Sequence, residues 1–140
     1  VSKTKLKIAV VEDEEDILTL YKNFLISKGH EVFSSLNADD IMSNFLKNRP
    51  DIALLDYRMG GHKSGIEVAI EILTDYPLFP IFFVTAYEAL FSDILNYPIF
   101  KDKKISILIK PVLLMKIEDA ILNLSGTVLK RLLLLSRFVT

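Results

Sequence analysis

The stretch Asp51–Gly61, DIALLDYRMGG, decides how the rest of the chain is read. Ile52, Ala53, Leu54 and Leu55 form a short apolar run between Pro50 and a pair of glycines. A run of that length without polar alternation reads as a strand buried on both faces, as in parallel sheets. It ends in Asp56. A carboxylate at the end of a buried strand has lost part of its hydration, so a metal, a lysine or backbone donors must compensate. Ligands of open α/β sheets bind outside the carboxyl ends of the strands, and Asp56 stands at such an end.

Outward from Asp56, the same grammar repeats. Leu6–Val11 is an apolar run ending in the acids Glu12, Asp13, Glu14, Glu15 and Asp16. Ile17, Leu20, Tyr21, Phe24 and Leu25 then recur at helical spacing, with Gly29 as the expected C-terminal cap. Glu31–Leu36 is a weaker strand. Asn37 or Asp39 is placed to cap a second helix that buries Ile41, Met42, Phe45 and Leu46. Ser64 caps a third helix, closed by Pro77. Pro80–Val84 is the fourth strand and ends in Thr85. A short helix over Glu88–Leu95 is stopped at Pro98, and Phe100–Lys104 reads as a charged connection. Ile105–Ile109 is the fifth strand, ending in Lys110-Pro111, and a last helix spans Leu113–Leu124. Five alternating strand–helix units with nearly continuous apolar strands predict a doubly wound α/β fold: a five-stranded parallel sheet with helices on both faces.

Bulk properties narrow the function. The chain has 140 residues, is 51% hydrophobic and carries a net charge of -1. That suits one core and gives no basic surface for nucleic acid. There is no cysteine, which excludes disulfides and thiol chemistry and fits a reducing, cytoplasmic setting. No apolar run approaches the ~20 residues of a membrane span. His62 reads as an exposed loop residue, and His30, in a turn after Gly29, carries no signal.

Four strand ends carry polar groups: Glu12 and Asp13, Asp56, Thr85 and Lys110. In a doubly wound sheet these ends converge on one edge. Acids gathered there repel one another, and a hard divalent cation is the usual remedy. Mg²⁺ suits a shallow site because it keeps several waters. A carboxylate can also act as a nucleophile and accept a phosphoryl group, whose oxygens then need neutralising by the cation, the Lys110 ammonium and the Thr85 hydroxyl.

The motifs VVEDE, LLDYRM with Gly65 downstream, VTA and KP, in that order and each at a strand end, resemble the receiver domain of two-component response regulators. The likeness covers about Lys5–Leu124. It implies a flavodoxin-like fold with strand order 2-1-3-4-5. It implies that Asp56 is the phosphoacceptor and that Glu12, Asp13, Asp56 and the backbone carbonyl of Arg58 hold Mg²⁺. Thr85 and Lys110 would contact the phosphoryl group, and the Lys110-Pro111 bond would be cis. Switching in such domains involves Thr85 and the position of Ile107, next to the turn at Pro111. The implied donor is a histidine kinase or phosphotransfer protein, with output through protein contacts to a downstream target. The expected protein is therefore a signalling domain rather than an enzyme.

Several features depart from the family pattern. Met59-Gly60 stands where Met-Pro is usual, and the step from Asp56 to Gly65 is one residue longer than is common. Ile107 replaces the usual Tyr or Phe three residues before the lysine. A pseudo-receiver regulated by binding alone is one alternative. An aspartyl-phosphate phosphatase is another, opposed by Arg58 in the place of its second acid. A flavodoxin is opposed by the lack of a Ser/Thr/Gly-rich loop after the first strand. Residues 1–125 form the expected receiver, read as a stand-alone unit because no output domain follows. Residues 126–140 form an apolar helical extension containing VLKRLLLLSRF, expected to make a homodimer or partner interface with the last helix.

Overall fold

Five strands carry the architecture: β1 (Lys7–Val11), β2 (Glu31–Ser35), β3 (Ile52–Leu55), β4 (Ile81–Thr85) and β5 (Ile105–Ile109). All four pairings are parallel, in the order β2-β1-β3-β4-β5. The structure is a computed structural model, and it describes residues 5–39, 41–57 and 63–124. The loop around Arg58 and His62, the extension from residue 125 onward and the side chain of Leu46 lie outside these. The helices are α1 (Glu15–Ser27), α2 (Ile41–Asn48), α3 (Gly65–Asp75), α4 (Leu90–Asn96) and α5 (Leu114–Leu124).

Strand periodicity divides the core in two. Ala9, Val11, Ala53, Leu55, Ile81 and Phe83 face one side and pack with Ile41, Phe45, Ile66, Val68, Ile72 and Leu90 of α2, α3 and α4. Ile8, Val10, Ile52, Leu54, Phe82 and Val84 face the other and pack with Leu18, Tyr21, Leu25, Ile117 and Ile121 of α1 and α5. Each central strand must be apolar on both faces, and β3 and β4 are buried at every position.

The caps follow local chemistry. The Ser64 hydroxyl accepts from the Glu67 N–H at 3.2 Å, as a helix N-cap should. Gly29 has φ +92° and ends α1: its N–H donates to the Ile26 carbonyl, and the next N–H, of His30, reaches back to Leu25. Asn37 Oδ1 accepts from the Asp39 N–H just before α2.

Two expectations need correction. The Leu90 N–H bonds to the Tyr87 carbonyl and the Phe91 N–H to the Glu88 carbonyl, so a tight turn precedes α4 and delays its start to Leu90. Phe100 does not belong to the charged connection. Pro98–Phe100 is a 3₁₀ turn that drops Phe100, 6% exposed, into the core beside α3.

Candidate phosphoacceptor site

The site is built by register. Val11 of β1 is level with Leu55 of β3, so Glu12 and Asp56 leave the sheet side by side. Their backbones stay tied to it: the Asp56 N–H donates to the Val11 carbonyl and the Glu12 N–H to the Ser35 carbonyl. Thr85 is level with Ile109, and the Lys110 N–H donates to the Thr85 carbonyl at 2.8 Å. The sheet order reverses direction between β1 and β3, which opens the crevice where such folds bind ligands.

Lys110 Nζ is shared between two carboxylates. It lies 3.0 Å from Asp56 Oδ2 and 3.1 Å from Glu12 Oε2. Glu12 is 1% and Asp56 8% exposed, while Asp13 faces solvent. Oxygens of Glu12, Asp13 and Asp56 all lie within 4.8 Å of one another. Burial pushes the Glu12 carboxyl up to about 7; the charge of Asp56 adds to the rise and Lys110 opposes it. Burial works against the Lys110 ammonium, but the hydrogen bonds and charges of Asp56 and Glu12 outweigh it and raise its pKa. One ammonium thus leaves the acids under-compensated. An all-oxygen donor set, one member open to water, fits a hard divalent cation such as Mg²⁺.

Thr85, 1% exposed, accepts the Tyr87 N–H on its Oγ1 at 3.1 Å and keeps its own proton to donate elsewhere. Gly65 opens α3 directly against the site. Its N–H donates to the Tyr57 carbonyl at 2.7 Å, and a Cβ there would overlap the Asp56 carbonyl oxygen, so only glycine allows this approach. The Lys110-Pro111 bond is cis. Ile107 is half-buried and packs against the core on the α3 side. The structure brings Glu12, Asp13, Asp56, Thr85 and Lys110 to one edge; Arg58 lies outside the described residues.

The family comparison decides what this edge belongs to: the response regulator receiver domain model matches residues 8–121. The chain is a response regulator receiver. Curated relatives are longer proteins. The alkaline phosphatase synthesis transcriptional regulatory protein PhoP of Bacillus subtilis is 31% identical over 90 residues, 64% of this chain and 37% of its own length. The transcriptional regulatory protein RprY of Bacteroides fragilis is 33% identical over 92 residues, 66% of this chain and 38% of its own length. This receiver chain therefore spans less than two-fifths of those relatives. Among solved structures, a receiver domain protein from Clostridium thermocellum superposes with a TM-score of 0.75 at 29% identity, covering 91% of this chain and 98% of that one. The receiver of RstA from Klebsiella pneumoniae, in a beryllofluoride-activated form, shares the fold with a TM-score of 0.69 at 23% identity, covering 84% and 97% of the two chains. Among the described residues of this receiver, no helix is long and apolar enough to cross a membrane.

Sequence reading missed three residues beside the site. The rings of Tyr57 and Tyr87 stack with centroids 5.5 Å apart at 21°, and the Tyr57 hydroxyl donates to Asp93 Oδ2 at 2.7 Å. The available signal was positional: Tyr57 directly follows Asp56, and Tyr87 follows Thr85 by two.

Proposed function

We propose that this receiver accepts a phosphoryl group on Asp56 from a histidine kinase or phosphotransfer protein, with Mg²⁺ bound. The observation that carries the reading is the placement of Asp56 Oδ2 3.0 Å from Lys110 Nζ at the end of a buried strand. The Asp56 carboxylate oxygen forms the new bond to phosphorus. The bond from phosphorus to the donor's imidazole nitrogen breaks, and its electron pair stays on the imidazole. Lys110 leaves its ion pair to meet the added charge of about -2, and Thr85 donates its hydroxyl proton to a phosphoryl oxygen. Glu12, Asp13 and Asp56 would hold the metal, with the Arg58 carbonyl as a further donor. Bound Mg²⁺ would supply positive charge against the phosphoryl oxygens.

The complete acid, threonine and lysine set supports phosphorylation over the binding-only pseudo-receiver. The state passes on by protein contact. It does so from a stand-alone receiver or from the receiver part of a longer regulator, as in the curated relatives. The acid-free place two residues after Asp56 speaks against phosphatase turnover, and the cysteine-free composition fits work in the cytoplasm. The apolar residues 126–140 are proposed to join α5 in a homodimer or partner interface. Light scattering on the full chain and on a version ending at Ser125 tests that: only the full chain should be dimeric.

Intact-mass spectrometry after incubation with acetyl phosphate and Mg²⁺ tests the central claim. One phosphoryl group should be added, strongly reduced without Mg²⁺ and absent in Asp56→Asn. Uptake that survives Asp56→Asn would overturn the assignment.

A further inference from the structure

Ile107 is β-branched and apolar, so it cannot alternate a hydroxyl between buried and exposed positions. The structure holds a different aromatic link between the site and a neighbouring helix. Tyr57 is joined to Asp56 by one peptide bond. Tyr87 is joined to Thr85 by the 3.1 Å bond from its N–H to the Thr85 hydroxyl. The two rings stack, and the Tyr57 hydroxyl ends the chain of contacts on Asp93 at 2.7 Å. Asp93 lies in the first turn of α4, a helix of seven residues with no side-chain cap at its start.

That helix is weakly held. So short a helix is marginal on propensity alone, so tertiary contacts decide whether it stays formed. Leu90 is its one buried residue, while Phe91 and Leu95 are 47% and 85% exposed. The bond to a carboxylate from Tyr57 is of the stronger, charge-assisted kind.

We propose that Tyr57, Tyr87 and Asp93 form a latch that reports the charge state of Asp56 to α4, in place of an aromatic residue at position 107. This rests on Asp56 being the phosphoacceptor. In the unmodified protein the latch is closed. Once a phosphoryl group is present, the Thr85 hydroxyl turns to donate to it and pulls away from the Tyr87 N–H. Tyr87 shifts, the stack shifts with it, and the Tyr57 hydroxyl parts from Asp93. The helix then loses a bond that only the unmodified state supports, which is the differential interaction a switch requires.

Hydrogen exchange of the α4 amides, with and without Mg²⁺ and beryllofluoride, tests the latch. In the wild-type protein the added mimic should speed exchange across residues 91–96 by about ten-fold, the scale of one such hydrogen bond. Tyr57→Phe keeps the ring and removes only the hydroxyl. Its α4 should exchange fast already without the mimic, and adding the mimic should change it little. A Tyr57→Phe protein with the wild-type contrast between the two conditions would overturn the latch. Asp93→Ala removes the acceptor instead and decides the matter if circular dichroism shows Tyr57→Phe to be misfolded. Mass spectrometry on the same two proteins, incubated instead with acetyl phosphate and Mg²⁺, separates the two levels. Wild-type protein that takes up no phosphoryl group refutes the phosphoacceptor reading. Normal uptake by both proteins with an unaltered α4 contrast in Tyr57→Phe refutes the latch alone.

Discussion

The two ends of the sheet hold similar polar side chains and use them in opposite ways. At the amino-terminal end, His30 is 5% exposed and its Nδ1 accepts the Leu6 N–H at 3.1 Å. Beside it, Asp51 Oδ2 accepts the Lys7 N–H at 2.8 Å. These side chains are spent on backbone groups that the first strand leaves unpaired, and they stitch the edge shut. At the carboxyl-terminal end, Glu12, Asp56 and Lys110 are turned on one another, with too little positive charge for the acids. The first arrangement is paired with backbone, although His30 Nε2 stays buried without a hydrogen-bond partner among the described residues. The second improves when a cation arrives, and it is the end proposed to take the phosphoryl group.

A substitution where the backbone itself meets the carboxyl-terminal end should give the largest stability effect. Gly65→Ala forces a methyl group into the Asp56 carbonyl and the Tyr57 Cα, both backbone. Denaturant titration should give a loss of about 1–3 kcal/mol, the usual cost of overpacking. Phosphoryl uptake should fall with it because Asp56 is displaced. A Gly65→Ala protein of full stability and full uptake would mean that the helix and the site are not rigidly joined.

At the amino-terminal end, His30→Ala should leave the Leu6 N–H buried without an acceptor, costing about 1–2 kcal/mol in the same titration. Phosphoryl uptake should be unchanged, which separates the two ends cleanly. His30→Asn, which offers an oxygen in place of Nδ1, should recover part of the loss.

The smallest effect is a pH slope. Burial lowers the His30 pKa below 6.5, against a weaker opposing pull from Glu118. The unfolded chain then binds more protons than the folded one as pH falls below about 6.5, so stability drops in that window. Glu12 acts in the opposite sense: its pKa is raised from 4.5 to about 7, so its contribution is lost as pH rises across that range. Melting curves of wild-type and His30→Asn protein from about pH 7.5 to about pH 5 isolate the histidine. The difference between them should shift in favour of the variant as pH falls. A constant difference would mean that His30 has the same pKa in the folded and unfolded states.

The strands were legible because runs such as IALL and IFFV are apolar on both faces, and few other environments than a central parallel sheet accept them. The acid and lysine positions were legible for the same reason: a charge that ends such a run stands out. What escaped notice depends on partners far along the chain. Phe100 reads as part of a charged connection because lysines follow it, but it packs into the core beside α3. His30 looked idle in its turn, yet its ring serves the backbone of Leu6, 24 residues away. The Tyr57–Asp93 bond spans 36 residues, and no local pattern announces it.

The shared lysine also has a bearing on how the domain is born. Lys110 lies 98 residues after Glu12 and 54 after Asp56. A ribosome delivers both acids well before it delivers their counter-charge. The first three strands, if they pair early, present a pocket of unrelieved negative charge. Only the docking of the fifth strand closes the circuit. A nascent chain stalled before Lys110 therefore lacks the ammonium that pairs with Asp56, and the charge arrangement proposed for phosphotransfer is complete only with the last strand of the sheet.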